Sequence, residues 1–275
     1  MKIDSHQHFW RYNTAEYGWI SNDMEILQKN YLPDQLKAEL SSIGFDGSIV
    51  VQARQSLEET QWIIDLAEQN NFIKGVVGWV NLCSPGAEEQ LFQFSRHTKL
   101  VGVRHVIHDE ADDNFILRNN FLKGIALLNK FGLTYDILVF PRHLPNTIQF
   151  VSRFPDQVFV LDHIAKPYIR DKKISPWKED IEILARFKNV YCKLSGIVTE
   201  ANVKNWKQED LIPYLDIVFT AFGPDRLMIG SDWPVCLVAA DYSQVKGIIE
   251  NYTKQFSATE HQDIFGGNAI EFYNL

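Results

Sequence analysis

Apolar residues come along this chain in short runs, separated by longer stretches in which they recur every three or four positions. The short runs predict eight strands, at residues 2–8, 47–53, 73–80, 100–107, 133–140, 157–163, 190–194 and 226–232. Several are almost continuously apolar, as in Ser48-Ile49-Val50-Val51 and Val158-Phe159-Val160-Leu161. Strands covered on both faces read this way, as in parallel sheets.

Helical periods fill the intervals. Ser56 and Glu59 form a capping-box pattern ahead of a stripe of Trp62, Ile63, Leu66 and Ala67. Pro33 suits a first helical turn, Leu36, Leu40 and Ile43 make its stripe, and Gly44 its stop. Further helices are expected near residues 114–130, 176–187, 205–222, 242–252 and 259–265. Eight strands each followed by a helix predict an α/β fold, a single (β/α)8 TIM barrel across residues 1–275. The competing arrangement is a doubly wound open sheet, but no GxGxxG follows an early strand.

Two strand-to-helix connections are long and fall on the C-terminal face of such a barrel. Residues 9–32 carry Trp10, Tyr12, Tyr17, Trp19 and Tyr31, which suits a packed lid. Residues 165–175 carry Lys166, Arg170, Lys172 and Lys173.

Composition narrows the class. The chain has 275 residues, 45% hydrophobic and 23% charged, the profile of a globular protein. Its 27 basic and 35 acidic side chains leave a net charge of −8, which disfavours a nucleic-acid partner. Three scattered cysteines without a CxxC suit a reducing compartment. The opening MKIDSHQHFW lacks the apolar run of a signal peptide, and no stretch of ~18 apolar residues suggests a membrane span. A cytoplasmic protein acting on a small molecule is expected, as a monomer or a homo-oligomer.

The candidate chemistry lies at the strand ends. His6 and His8 are two apart, so on a regular strand both face the same way and can converge on a divalent metal. Asp4 would share that parity one layer below, either supporting the pair or serving as a hydrogen-bonded strand-start residue. In LDHIAKP, His163 closes the sixth strand on the face of Phe159 and Leu161, whereas Asp162 has opposite parity and is expected to face a helix. Lys166 either reaches the pocket or is a solvated loop cation. In GSDWP, Asp232 ends the eighth strand beside the first. It can ligate metal, accept a proton from water, or cap a turn. Arg104, His105 and Arg54 end strands four and two, where they can bind a carbonyl or carboxylate or form rim salt bridges. Trp79, Tyr135 and Trp233 can line a pocket or belong to the core. Ser195 has no GxSxG context.

Taken together, IDSHQHFW, GVRHVIHDE, GLTYDILVFPRHLP, FVLDHIAKP, VYCKLSGIVTEA, FGPDRLMIGSDWPV and FGGNAIEFYNL resemble the amidohydrolase superfamily. The branch is amidohydrolase-2, with sugar lactonases of the L-fuconolactonase and L-rhamnonolactonase kind, and the match runs nearly end to end. The resemblance implies hydrolysis of an aldonolactone to its sugar acid. It implies His6, His8, His163 and Asp232 as ligands of one divalent metal, zinc by preference, with a metal-free site as the alternative. Asp232 and His163 would be catalytic, and Arg104, His105 or Arg54 would stabilise the carbonyl oxygen. Where the superfamily binds two metals, strand four usually offers a bridging lysine; here it offers Arg104 and His105. Rival readings are decarboxylation or another hydrolysis on the same barrel, and a non-catalytic metal- or ligand-binding protein.

Overall fold

The computed structural model describes residues 1–275. Its eight strands are β1 (Ile3–Gln7), β2 (Gly47–Val51), β3 (Ile73–Gly78), β4 (Leu100–Val106), β5 (Thr134–Leu138), β6 (Phe159–Leu161), β7 (Val190–Leu194) and β8 (Leu227–Ile229). All neighbours are parallel and run in sequence order. The ring closes just past β8: Asp232 N donates to His6 O at 2.8 Å and His8 N to Trp233 O at 2.7 Å. Helices α1 (Pro33–Ile43), α2 (Leu57–Gln69), α3 (Ala87–Phe94), α4 (Asn119–Leu128), α5 (Leu144–Ser152), α6 (Trp177–Leu184), α7 (Ile197–Glu200) and α8 (Gln208–Phe222) lie between strands. Three more, α9 (Tyr242–Thr253), α10 (Ala258–Gln262) and α11 (Asn268–Tyr273), follow β8. This is the (β/α)8 barrel that the alternating pattern predicts. No helix is long and apolar enough to cross a membrane.

Two apolar layers hold it. The larger lies between strands and helices and contains Tyr135, Phe150, Phe159 and Leu161. The smaller fills the barrel and contains Ile3, Ile49, Val51, Val77, Val160 and Met228, with Ala269, Phe272 and Tyr273 of α11 packed against it. Because Phe159 and Leu161 belong to the outer layer and Val160 to the inner one, the expected parity of β6 is reversed. Asp162 therefore continues the inward face and does not face a helix.

Local signals hold to different degrees. Gly44 closes α1 at φ +77°, a conformation that costs glycine little. Ser56 caps α2 by accepting from Glu59 N at 3.1 Å. The reciprocal half of the expected box is absent, because the buried Glu59 carboxylate accepts from the backbone N–H groups of Ala53 and Arg54 instead, at 3.1 and 2.6 Å. Residues 9–32 are pinned at their base: Trp10 and Tyr31 exchange backbone hydrogen bonds at 3.0 Å, and Trp10 Nε1 donates to Lys29 O at 2.9 Å.

Candidate active site

β1 carries one extra residue against β2, a bulge between Asp4 and Gln7. A bulge reverses side-chain alternation locally. Asp4 consequently does not share the face of His6 and His8. It accepts from Ser231 N (2.8 Å), Ser231 Oγ and Tyr242 Oη (both 2.6 Å), tying β1 to the segment after β8 and to α9. His6 instead meets the barrel interior. Gly230 leaves the room, since a Cβ there would lie 2.7 Å from His6 Cβ.

β6 and β8 end earlier than their apolar runs suggest, and the site residues behind them sit on left-handed backbone. His163, Ile164, Ala165 and Lys166 have φ between +48° and +60°, and Asp232 has φ +58°. Such conformations are costly for side chains other than glycine and concentrate at functional sites. They turn His163 and Asp232 into the mouth of the barrel. Gly196 makes space for His163, whose Nδ1 a Cβ at that position would meet at 2.6 Å. Ser195 Oγ shares a hydrogen bond with His163 Nδ1 at 2.9 Å.

His6, His8 and Asp232 converge. His6 Nε2 lies 3.2 Å from His8 Nε2, and Asp232 Oδ1 lies 3.3 Å from His8 Nε2 and 4.0 Å from His6 Nε2. All three residues are buried. His8 Nδ1 donates to Val51 O at 2.7 Å, which leaves the Nε2 lone pair facing the other two. Burial drives the His6 and His163 imidazoles well below their usual range, so both are neutral ligands or acceptors. Burial opposes charge on Asp232, but His163, His8 and Lys166 outweigh it and hold the carboxyl below its ordinary value. Two imidazoles and a carboxylate are a zinc-type donor set. Ligand atoms on a tetrahedral zinc stand about 3.3 Å apart, close to two of these three separations. The residues present fit one divalent ion.

A second grouping, His6, Asp162 and His163, already holds fixed cations. Lys193 Nζ lies 3.2 Å from Asp162 Oδ1 and 3.3 Å from His6 Nδ1, and it bonds Asp136 closely. Arg104 Nη1 donates to Asp162 Oδ2 at 3.0 Å and stands 3.3 Å from His6 Nε2, while Nη2 donates to Gln52 O at 2.5 Å. Burial alone would push Asp162 toward neutrality; Lys193, His6 and Arg104 reverse this and hold it well below the usual carboxylate range. Tyr273 Oη donates to Asp136 Oδ2 at 2.9 Å, linking the last helix to this network.

Above these groups lies a cavity of about 340 Å³, lined by His8, Arg104, His163, Lys166 and Asp232 among others. Lys166 pairs there with Glu200 at 2.5 Å. Several expected site residues lie elsewhere. His105 points into the outer layer, stacked on Phe115 with 4.7 Å between ring centroids and bonded to Glu110 at 2.7 Å; the one-residue offset of the strand face separates it from Arg104. Tyr135 is buried among Phe121, Phe150 and Phe159. Trp79 donates from Nε1 to His105 Nδ1, and Trp233 packs on Phe9 and Tyr31. Arg54 is on the rim, paired with Glu16 at 2.6 Å. The residues that sequence reasoning passed over are Asp136, Lys193, Gln52, His108 and Glu200, while Asp162 was expected on the opposite face. Asp136 and Lys193 carried a signal, a charge inside an apolar strand.

The chain belongs to the amidohydrolase family, whose model matches residues 3–275. It is 40% identical to an L-fucono-1,5-lactonase of Burkholderia multivorans, across 100% of this chain and 96% of that protein. An L-fucono-1,5-lactonase of Burkholderia ambifaria is 34% identical, with 100% and 96% covered. The crystal structure of a Burkholderia multivorans amidohydrolase with bound zinc superposes with a TM-score of 0.97 at 41% identity, covering 100% of this chain and 99% of that one.

Proposed function

We propose that this protein is a lactonase that opens a sugar-acid lactone of the L-fucono-1,5-lactone type to the free aldonic acid. The observation that carries this reading is the His6–His8–Asp232 cluster beneath an open cavity, in a chain that matches L-fucono-1,5-lactonases end to end.

His6, His8 and Asp232 would hold one divalent ion, zinc by its donor set, with His163 alongside. When bound, such an ion polarises a carbonyl oxygen and acidifies water. The chain's own groups do the rest. Asp232, kept ionised by its neighbours, accepts a proton from the attacking water. The water oxygen bonds to C1 of the lactone, the bond from C1 to the ring oxygen breaks, and Asp232 returns the proton to that oxygen. Arg104 and Lys166 are cations in the cavity wall. They offset the negative charge that develops on the carbonyl oxygen. His163, neutral and fixed by Ser195, orients the water.

The test is acid release in weak buffer over a panel of aldonolactones, on protein as purified, after chelation and after zinc readdition. Hydrolysis lost on chelation and restored by zinc supports both reaction and ion. Hydrolysis that survives verified metal removal keeps the lactonase and strikes the ion. No hydrolysis of any lactone overturns the reading.

A further inference from the structure

Asp136 on β5, Lys193 on β7 and Tyr273 at the end of α11 are buried and line no part of the cavity, so none of them touches a bound lactone. The Asp136 carboxylate has two partners. It bonds the Lys193 ammonium closely, and it accepts from the Tyr273 hydroxyl at 2.9 Å. Burial pushes the Asp136 carboxyl up, and Lys193 and Tyr273 oppose that push.

Lys193 also faces a residue of the active site. His6 Nδ1 has an acceptor, Asp162 Oδ1, and a donor, Lys193 Nζ, each at 3.3 Å. With its proton on Nδ1, His6 donates to Asp162, and its Nε2 lone pair faces His8 and the mouth of the barrel. With its proton on Nε2, Nδ1 accepts from Lys193 instead, and Nε2 is no longer free to bind an ion. Arg104 Nη1, a donor 3.3 Å from Nε2, favours the first tautomer. An ammonium closer to Nδ1 favours the second. Lys193 Nζ lies 3.2 Å from Asp162 Oδ1 and closer still to Asp136, so the Asp136 carboxylate draws it away from the imidazole.

We propose that Asp136, supported by Tyr273 of the last helix, is a positioning residue of the active site: it holds the Lys193 ammonium off His6 and so fixes the tautomer whose Nε2 is free to bind the ion. The proposal rests on the reading of His6, His8 and Asp232 as holders of one divalent ion. The line of contacts runs from the last helix to the first strand, from Tyr273 through Asp136 and Lys193 to His6. Groups that touch a metal-binding imidazole from behind set its orientation and the position of its proton.

Nitrogen NMR of the histidine side chains reads the tautomer in metal-free protein, with His6 assigned by its absence in His6→Gln. Chelator competition on the same preparations gives the zinc dissociation constant. The wild type should carry the His6 proton on Nδ1. Asp136→Asn keeps the shape and removes the charge, so the proton should move to Nε2 and the zinc dissociation constant should rise about 10- to 100-fold. Tyr273→Phe removes one hydroxyl and should shift both readings the same way by a smaller amount. A merely structural role would lower the melting temperature and leave the tautomer of the folded protein unchanged. A wild-type proton on Nε2 overturns the proposal. So does an unchanged tautomer in folded Asp136→Asn, or a changed tautomer with unchanged zinc affinity. If Asp136→Asn does not fold, Tyr273→Phe decides by the same two readings. Wild type that binds no zinc overturns the ion reading, whereas the tautomer in the variants still decides whether Asp136 positions His6. Failure of the lactonase reading shows separately, as an absence of acid release from every lactone.

Discussion

The floor and the rim of the barrel mouth are built from similar side chains under opposite conditions. On the floor, His6, Asp162, Lys193 and Asp136 are inaccessible to solvent, and each charge touches an opposite one. At the rim, Arg54 pairs with Glu16 and Lys166 with Glu200, with water reaching both pairs. A buried ion pair loses several kcal/mol when one partner is removed, because the other is stranded, whereas an exposed pair is nearly neutral. The floor is therefore intolerant and holds the reactive groups in place. The rim pairs can be broken without unfolding the protein, so a change there is read in function rather than in stability.

The largest expected effect on that contrast is catalytic. Asp232→Asn should lower kcat by about 10³-fold or more, given the 10²–10⁴ range for a positioned acid–base group and the added loss of a ligand. Asparagine tolerates the positive φ at this position, so the melting temperature should change little. Near-wild-type turnover would remove Asp232 from the mechanism.

Next is Lys193→Met, which strands Asp136 in the interior and leaves Asp162 with Arg104 as its remaining cation. Denaturant unfolding should show a loss of about 3–5 kcal/mol. A loss below about 1 kcal/mol would mean that the floor is not under the tension described.

Glu59 sits between the two regions, buried beneath the rim. Burial raises its carboxyl from 4.5 to about 7, against the backbone donors of Arg54 and Ala53 and the charges of Arg54 and Arg104. Between those values the folded protein keeps a proton that the unfolded chain has released. Its contribution to stability is thus fully present below pH 4.5 and falls as pH rises through about 7. Glu59→Gln keeps the acceptor oxygen and removes the titration. Relative to this variant, the wild type should lose about 1–3 kcal/mol between pH 5 and pH 8. Parallel stability curves would contradict the assignment.

The smallest effect belongs to Glu16→Gln on the long β1 segment. Breaking its exposed pair with Arg54 should leave the melting temperature almost unchanged, because solvent screens the pair. A larger loss would mean that this pair behaves like the floor.

Much of the molecule was legible from residue order. The eight apolar runs and the helical stripes between them give the barrel. His6, His8, His163 and Asp232 stand out as polar groups closing apolar runs, and the structure brings them to one place. The errors are local and share a cause. Asp4 and Asp162 were assigned faces by strict alternation, which fails where β1 bulges and where β6 packs Phe159 outward. His105 was grouped with Arg104 because it is adjacent, although neighbours on a strand face opposite sides. Lys193 was visible as a lysine in an apolar strand, but nothing in sequence pairs it with partners 31 and 57 positions away.

The sequence by itself determined what depends on near neighbours: strand and helix periods, the cap at Ser56, the glycine stop at Gly44 and the family motifs. Only the tertiary structure decided which charges meet, which face each strand turns inward, and where left-handed turns aim His163 and Asp232. The physical reason is range. Periodicity is set by backbone geometry within a few residues, while a buried charge is set by whatever the closing barrel brings within about 3 Å of it.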